Sequence, residues 1–152
     1  MKVLANDGIS KSGIIALEKG GFEVITTKVA QEQVANYINE HKVSVIIVRS
    51  ATKVRKDIID NCPSLKIIGR GGVGMDNIDV DYARAKGIHV INTPASSSES
   101  VAELVFAHLF SVARYLHLTN REMPANGIDQ FNALKKIGSS GFELQNKKIQ
   151  LL

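Results

Sequence analysis

Five short runs rich in β-branched residues punctuate the first part of the chain: "KVLAND" (2–7), "FEVITT" (22–27), "VSVIIVRS" (43–50), "LKIIGR" (65–70) and "IHVINT" (88–93). Each reads as a strand. The sequence between them has helical spacing. "SKSGIIALEKGG" offers Ser10 as an N-cap, Ile14, Ile15 and Leu17 as an apolar face, and Gly20 and Gly21 as a stop. "AQEQVANYINEH" sets Val34, Tyr37 and Ile38 on one stripe, and "VRKDIIDNC" does the same with Val54, Ile58 and Ile59 before Pro63. Strand, helix, strand with short connections predicts an α/β fold with a doubly wound parallel sheet of about five strands, covered on both faces. Near-continuous apolar strands such as "VSVIIV" agree with burial on both sides.

Beyond Pro94 the texture changes. "ASSSESVAELVFAHLFSVARYLHL" opens with serines, with Ser98 or Ser100 as a cap, and then runs as one long helix. Val101, Leu104, Val105, His108, Leu109, Val112, Tyr115 and Leu116 recur at steps of three and four, too much apolar surface for a solvated helix, so it must pack on something. Residues 119–145 read as loop-rich with one short helix near Phe131–Lys136, and "KKIQLL" (147–152) reads as the opening of a further strand.

With 152 residues, 44% of them hydrophobic, the chain can close one domain that buries roughly 68–70% of its unfolded surface, or two smaller ones. The 19 Lys and Arg stand scattered against 15 Asp and Glu, with no basic block, so nucleic acid is not an expected partner. No apolar run approaches the ~18 residues of a membrane span. The single cysteine, Cys62, has no partner for an internal disulfide, and a reducing cytoplasm is the expected compartment.

The stretch "GRGGVGMD" (69–76) carries glycines at 69, 71 and 74, the G-x-G-x-x-G spacing of a dinucleotide-binding turn. A pyrophosphate site needs a helix starting within the motif and an acid ~20 residues on, at the end of the next strand. Here "MDNID" favours turns, the helix in "VDYARAK" is short and preceded by Asp79 as its cap, and "IHVINTP" ends without an acid. The context favours a tight βα turn or a loop lining the crevice at the carboxyl end of the sheet over a phosphate cradle.

"VRSATKV" (48–54), "LKIIGRGGVGMDNIDVDYARAKGIHVINTP" (65–94) and "SVAELVFAHLFSVAR" (100–114) together resemble the D-isomer-specific 2-hydroxyacid dehydrogenases. The arginine in "VRSATKV" and the wording of 120–136 are most similar to the branch that acts on D-3-phosphoglycerate. The resemblance implies a flavodoxin-like substrate domain over residues 1–95. Residues 96–152 would then be the crossover, a long interface helix and the incomplete beginning of a truncated Rossmann domain. It implies NAD as cofactor and a small phosphorylated 2-hydroxy acid as substrate. It also implies a homo-oligomer formed through helix 100–116.

In the family the next strand continues "ELxGKxxGIIGxGxIG", whereas this chain has "ELQNKKIQLL" (143–152). The fingerprint, the ribose-binding acid and the catalytic arginine, glutamate and histidine are therefore expected outside these residues, and the chain alone is expected to be inactive. His41, His89, His108 and His117 match no catalytic position.

The same resemblance assigns substrate contact to Arg49, Ser50, Thr52, Gly71, Gly72 and Ser97, and a backbone contact near the nicotinamide to Val73, where many relatives carry Thr. Ser97 replaces an Asn frequent in relatives. On the residues alone, the successive NH groups of 49–52 suit an anion nest and Arg49 suits a phosphate or carboxylate, with Lys53 as a second cation. Equally, Arg49 suits a solvated surface and Thr52 suits a cap for the next helix. Two other readings stand beside the enzyme. A signalling receiver needs acids at the ends of the first and third strands, and although Asp7 suits the first, Arg49 and Ser50 occupy the second. A corepressor relative that binds NAD without turnover would carry these same residues.

Overall fold

The computed structural model describes residues 1–150, which divide into two compact units, Met1–Ser97 and Ser98–Leu152. In the first unit the five predicted strands form one parallel sheet: β1 (Lys2–Ala5), β2 (Glu23–Ile25), β3 (Val45–Val48), β4 (Ile67–Arg70) and β5 (His89–Asn92), in the order β2-β1-β3-β4-β5. The crossovers carry helices α1 (Lys11–Lys19), α2 (Val34–His41), α3 (Lys56–Asn61) and α4 (Val80–Ala85). This is the flavodoxin-like arrangement. Its switch point falls between β1 and β3, where successive connections leave in opposite directions and open a crevice at the carboxyl ends of the strands.

Local chemistry sets the element ends. Ser10 Oγ accepts the Gly13 amide at 3.1 Å, and α1 stops at Gly20. Asp79 precedes α4 as expected but does not cap it. Its carboxylate instead accepts the Lys56 amide at 3.0 Å, closing the N-terminus of α3, and pairs with Arg55 at 2.9 Å. A carboxylate at a helix N-terminus meets the free amides and the positive end of the helix dipole.

The two sheet faces are covered unequally. Leu4, Ile46, Ile68 and Val90 are aligned across the strands and join Val34, Ile38, Ile58, Ile59 and Ala83 from α2, α3 and α4 in one core. The other face carries Val3, Val45 and Ile67 in one row and Ile47, Gly69 and Ile91 in the next. Leu17 of α1 and Phe22 are beside it, but no residue of α1 is buried and Ile91 is 59% exposed. Cover on both faces is thus expected from the strands and fully present on only one.

In the second unit, α5 spans Ser98–Ala113 and α6 spans Leu116–Ser139, separated by Tyr115 in the left-handed region at φ 53°. The helix α6 replaces most of the loop-rich stretch expected at 119–145 and takes in the short helix expected near Phe131–Lys136. Pro124 and Gly127 cost roughly 3 and 1 kcal/mol in a helix interior, which argues for loops, but "LHLTNREM" and "DQFNALKKI" on either side are good helix formers. The two halves join through a non-helical Gln130 (φ −116°). Phe142 N donates to Ala113 O at 3.0 Å, tying the segment after α6 to the end of α5. Of "KKIQLL", residues 147–150 form no strand, and 151–152 lie outside the described residues. No single helix among the described residues is long and apolar enough to cross a bilayer.

Only Ala113 of α5 is buried, and Val101, Leu104, Phe106 and Phe110 are about half exposed. The covering surface that the apolar pattern calls for is not supplied by the described residues of the second unit.

Candidate functional site

The polar end of β1 organises the crevice. Asn6, 3% exposed, donates Nδ2 to Val29 O (3.0 Å) and to Thr52 Oγ1 (2.8 Å) and accepts the Val29 amide. Next to it, Asp7 Oδ2 accepts the amides of Arg49 (2.7 Å) and Thr52 (3.0 Å), and Asp7 Oδ1 accepts the Thr52 hydroxyl at 2.6 Å. Partial burial works to raise the Asp7 pKa, but the Thr52 hydroxyl and the amides of Thr52, Arg49 and Ala51 outweigh it and hold the carboxyl below its ordinary value.

The amides of Arg49 and Thr52 do converge on an anion, and it is the protein's own carboxylate. Thr52 is 4% exposed with its hydroxyl committed inward, so it shapes the loop instead of presenting a side-chain donor to a ligand. Nor does it cap α3, a role that falls to Asp79. Lys53 is exposed, and its amide and carbonyl are both braced by the Gln31 side chain.

The glycine loop after β4 is fastened to the same framework. Val54 N donates to Asn77 O and Asp79 N donates to Val54 O, a short parallel bridge between Val54 and Ile78. On its other side, Asn92 Nδ2 donates to Val73 O at 2.7 Å and Thr93 N to Gly72 O at 3.2 Å. A side chain at Gly72 would run into the Arg70 guanidinium, so this glycine leaves room for that group. The loop does not fit a pyrophosphate. The next helix does not begin until Val80 and is only six residues long, so no helix N-terminus faces the glycines.

A cleft of about 740 Å³ runs from the less-covered sheet face to the carboxyl ends of β1, β3, β4 and β5. Val45, Ile47 and Ile67 line its apolar floor, while Asp7, Arg49, Arg70, Asn92 and Thr93 line its polar end. Of the residues singled out in the sequence, Arg49 and Gly71 line this cleft. Ser50 and Val73 are exposed on the two flanking loops, Gly72 is half-buried behind Gly71, and Ser97 is the last residue of the unit, away from the cleft lining.

Two residues that matter here, Arg70 and Asn77, were not singled out, and a third, Asp7, was weighed only as an acid of a signalling receiver. Arg70 ends β4 in register with Val48, one residue before Arg49, so two arginines reach one cleft from adjacent strands. Neither forms an ion pair among the described residues. Asp7 and Asn77 hold the loops that carry them. The visible signal was position: a charged residue at the carboxyl end of an interior strand of an open α/β sheet faces the crevice.

Residues 3–141 match the D-isomer specific 2-hydroxyacid dehydrogenase, catalytic domain family. The chain belongs to this family. Among its relatives are a D-3-phosphoglycerate dehydrogenase of Methanocaldococcus jannaschii, 42% identical over 114 residues, covering 75% of this chain and 21% of the relative, and a hydroxypyruvate reductase of Thermotoga maritima, 42% identical over 116 residues, covering 76% and 37%. A crystal structure of NAD⁺-bound 3-phosphoglycerate dehydrogenase from Entamoeba histolytica superposes with a TM-score of 0.62 at 31% identity, over 75% of this chain and 39% of that one. The chain thus spans between a fifth and two fifths of the length of these relatives.

Proposed function

We propose that these residues form the substrate-side part of an NAD-dependent dehydrogenase that oxidises D-3-phosphoglycerate to 3-phosphohydroxypyruvate, the opening step toward serine. The observation that carries this reading is the pair Arg49 and Arg70 on one cleft, neither with a carboxylate partner among the described residues. A guanidinium binds phosphate or carboxylate with a fork of parallel hydrogen bonds. Two of them suit an acid anionic at both ends better than a singly charged lactate or glycerate. Ser50 and Gly71 flank Arg49 and Arg70 and complete the rim, and the Gly72–Val73 edge faces the nicotinamide end of the cofactor. Ser97 closes the same side once the cofactor-bearing part of the enzyme is in place. The main NAD site, the catalytic histidine with its carboxylate partner and the catalytic arginine belong to other residues, so these 152 residues alone transfer no hydride. The exposed apolar surface of α5 serves a homodimer contact.

The test is titration of the 152-residue chain, followed by amide NMR, with D-3-phosphoglycerate, D-glycerate, D-lactate and ADP-ribose in parallel. D-3-phosphoglycerate is expected to move the resonances of 49–52 and 70–73, and Arg49→Ala to weaken it about tenfold or more, the loss of a charge-assisted contact. ADP-ribose is expected to move neither loop, and NADH with 3-phosphohydroxypyruvate to show no turnover. Equal responses to D-glycerate and D-3-phosphoglycerate would overturn the phosphorylated substrate.

A further inference from the structure

Asn77 is 5% exposed, and its carboxamide joins three groups, two from the loop after β3 and one from the end of β4. Nδ2 donates to the carbonyls of Arg49 at 2.8 Å and Thr52 at 2.6 Å, while Oδ1 accepts from Arg70 Nε at 3.2 Å. The orientation of the amide is fixed chemically, since only its NH₂ end can meet two carbonyl oxygens.

We infer that Asn77 is a positioning residue that sets both cleft arginines at once. This inference rests on the reading of the cleft as an anion site. Arg49 is held through its own carbonyl, at the point where β3 gives way to the loop. Arg70 is held through the Nε edge of its guanidinium, while Nη1 lies against Gly72. Asn77 therefore couples the substrate loop after β3 to the glycine loop after β4, which contains it.

The residue type follows from this role. An aspartate of the same shape would still meet Arg70 but would neutralise it as an ion pair and set a carboxylate against two carbonyl oxygens. An alanine would free the Arg70 Nε and leave the carbonyls of Arg49 and Thr52 without this donor, while Asp7 still held the Arg49 and Thr52 amides. A residue that only braced a loop would have no reason to touch a guanidinium in the cleft.

The experiment uses the 152-residue chain with D-3-phosphoglycerate as probe, reading the dissociation constant, the Arg70 Nε–Hε resonance and the thermal midpoint. Asn77→Asp is expected to shift the Hε resonance and weaken binding about tenfold, with Arg70→Ala costing less in that background than in wild type. Arg70→Lys repeats the test without altering a buried side chain, because it keeps the charge and loses the Nε contact, and it is expected to weaken binding comparably. If wild-type chain binds no D-3-phosphoglycerate, the reading of the cleft fails, and the Hε resonance then decides whether Asn77 orients Arg70. If wild-type chain binds and a folded Asn77→Asp or the Arg70→Lys variant binds equally well, the inference about Asn77 is overturned while the reading of the cleft stands.

Discussion

The Thr52 hydroxyl donates to Asp7 Oδ1 at 2.6 Å across 45 residues of sequence. With the two amides that reach Asp7 Oδ2, it makes one carboxylate the anchor of the loop that carries Arg49. Asp7→Ala leaves these donors without their acceptor and is expected to destabilise the first unit by about 1–3 kcal/mol, measured by urea denaturation.

The same carboxylate gives a signed pH dependence. Its folded pKa is lowered, so the stability it contributes is fully present above the ordinary carboxylate value near pH ~4 and fades as pH falls through the lowered folded value. Denaturation midpoints are expected to fall with acidification less steeply in Asp7→Asn than in wild type. Parallel acid limbs in the two proteins would remove Asp7 from the account.

Cys62, 1% exposed at the end of α3, has its thiol pushed up to about 11 by burial and, second, by the charge of Asp57. The thiolate is the reactive form, so the native chain is expected to resist a thiol reagent at pH 8 and to react once unfolded in urea. Rapid labelling of native protein would show that the core opens around α2 and α3.

Phe106 and Phe110 stack one helical turn apart on α5, ring centroids 6.3 Å apart, each about half exposed. If α5 is a self-association surface, sedimentation of wild-type chain at micromolar concentration is expected to give dimers or larger species, and Phe106→Glu with Phe110→Glu to return monomer. A clean wild-type monomer would sink this interface.

The strands were legible because a parallel sheet buried between layers demands β-branched residues, and "VSVIIV" has few other uses. Their order, β2-β1-β3-β4-β5, was not read from the sequence. The single-sided cover was not legible, since Val45, Ile47 and Ile67 have the same composition whether or not a helix lies over them. In α6, Pro124 and Gly127 outweighed their neighbours on local propensity, whereas the chain accommodates them in one kinked helix. At the site, Arg49 could be read from its place after an apolar strand. The bracing roles of Asp7 and Asn77 could not, because backbone groups they bind lie 42 and 28 residues away and leave no mark on local sequence. The nest over 49–52 was visible as a possibility, but only the fold reveals that an internal carboxylate already fills it.

The strand order has a consequence for how the chain assembles. β1 pairs with both β2 and β3, then β4 adds beside β3 and β5 beside β4. Every strand made after β1 therefore joins at a free edge, and none must be threaded between two already paired. During synthesis, when N-terminal segments can organise first, the sheet can grow by accretion in the order it is translated, with β1 as its seed.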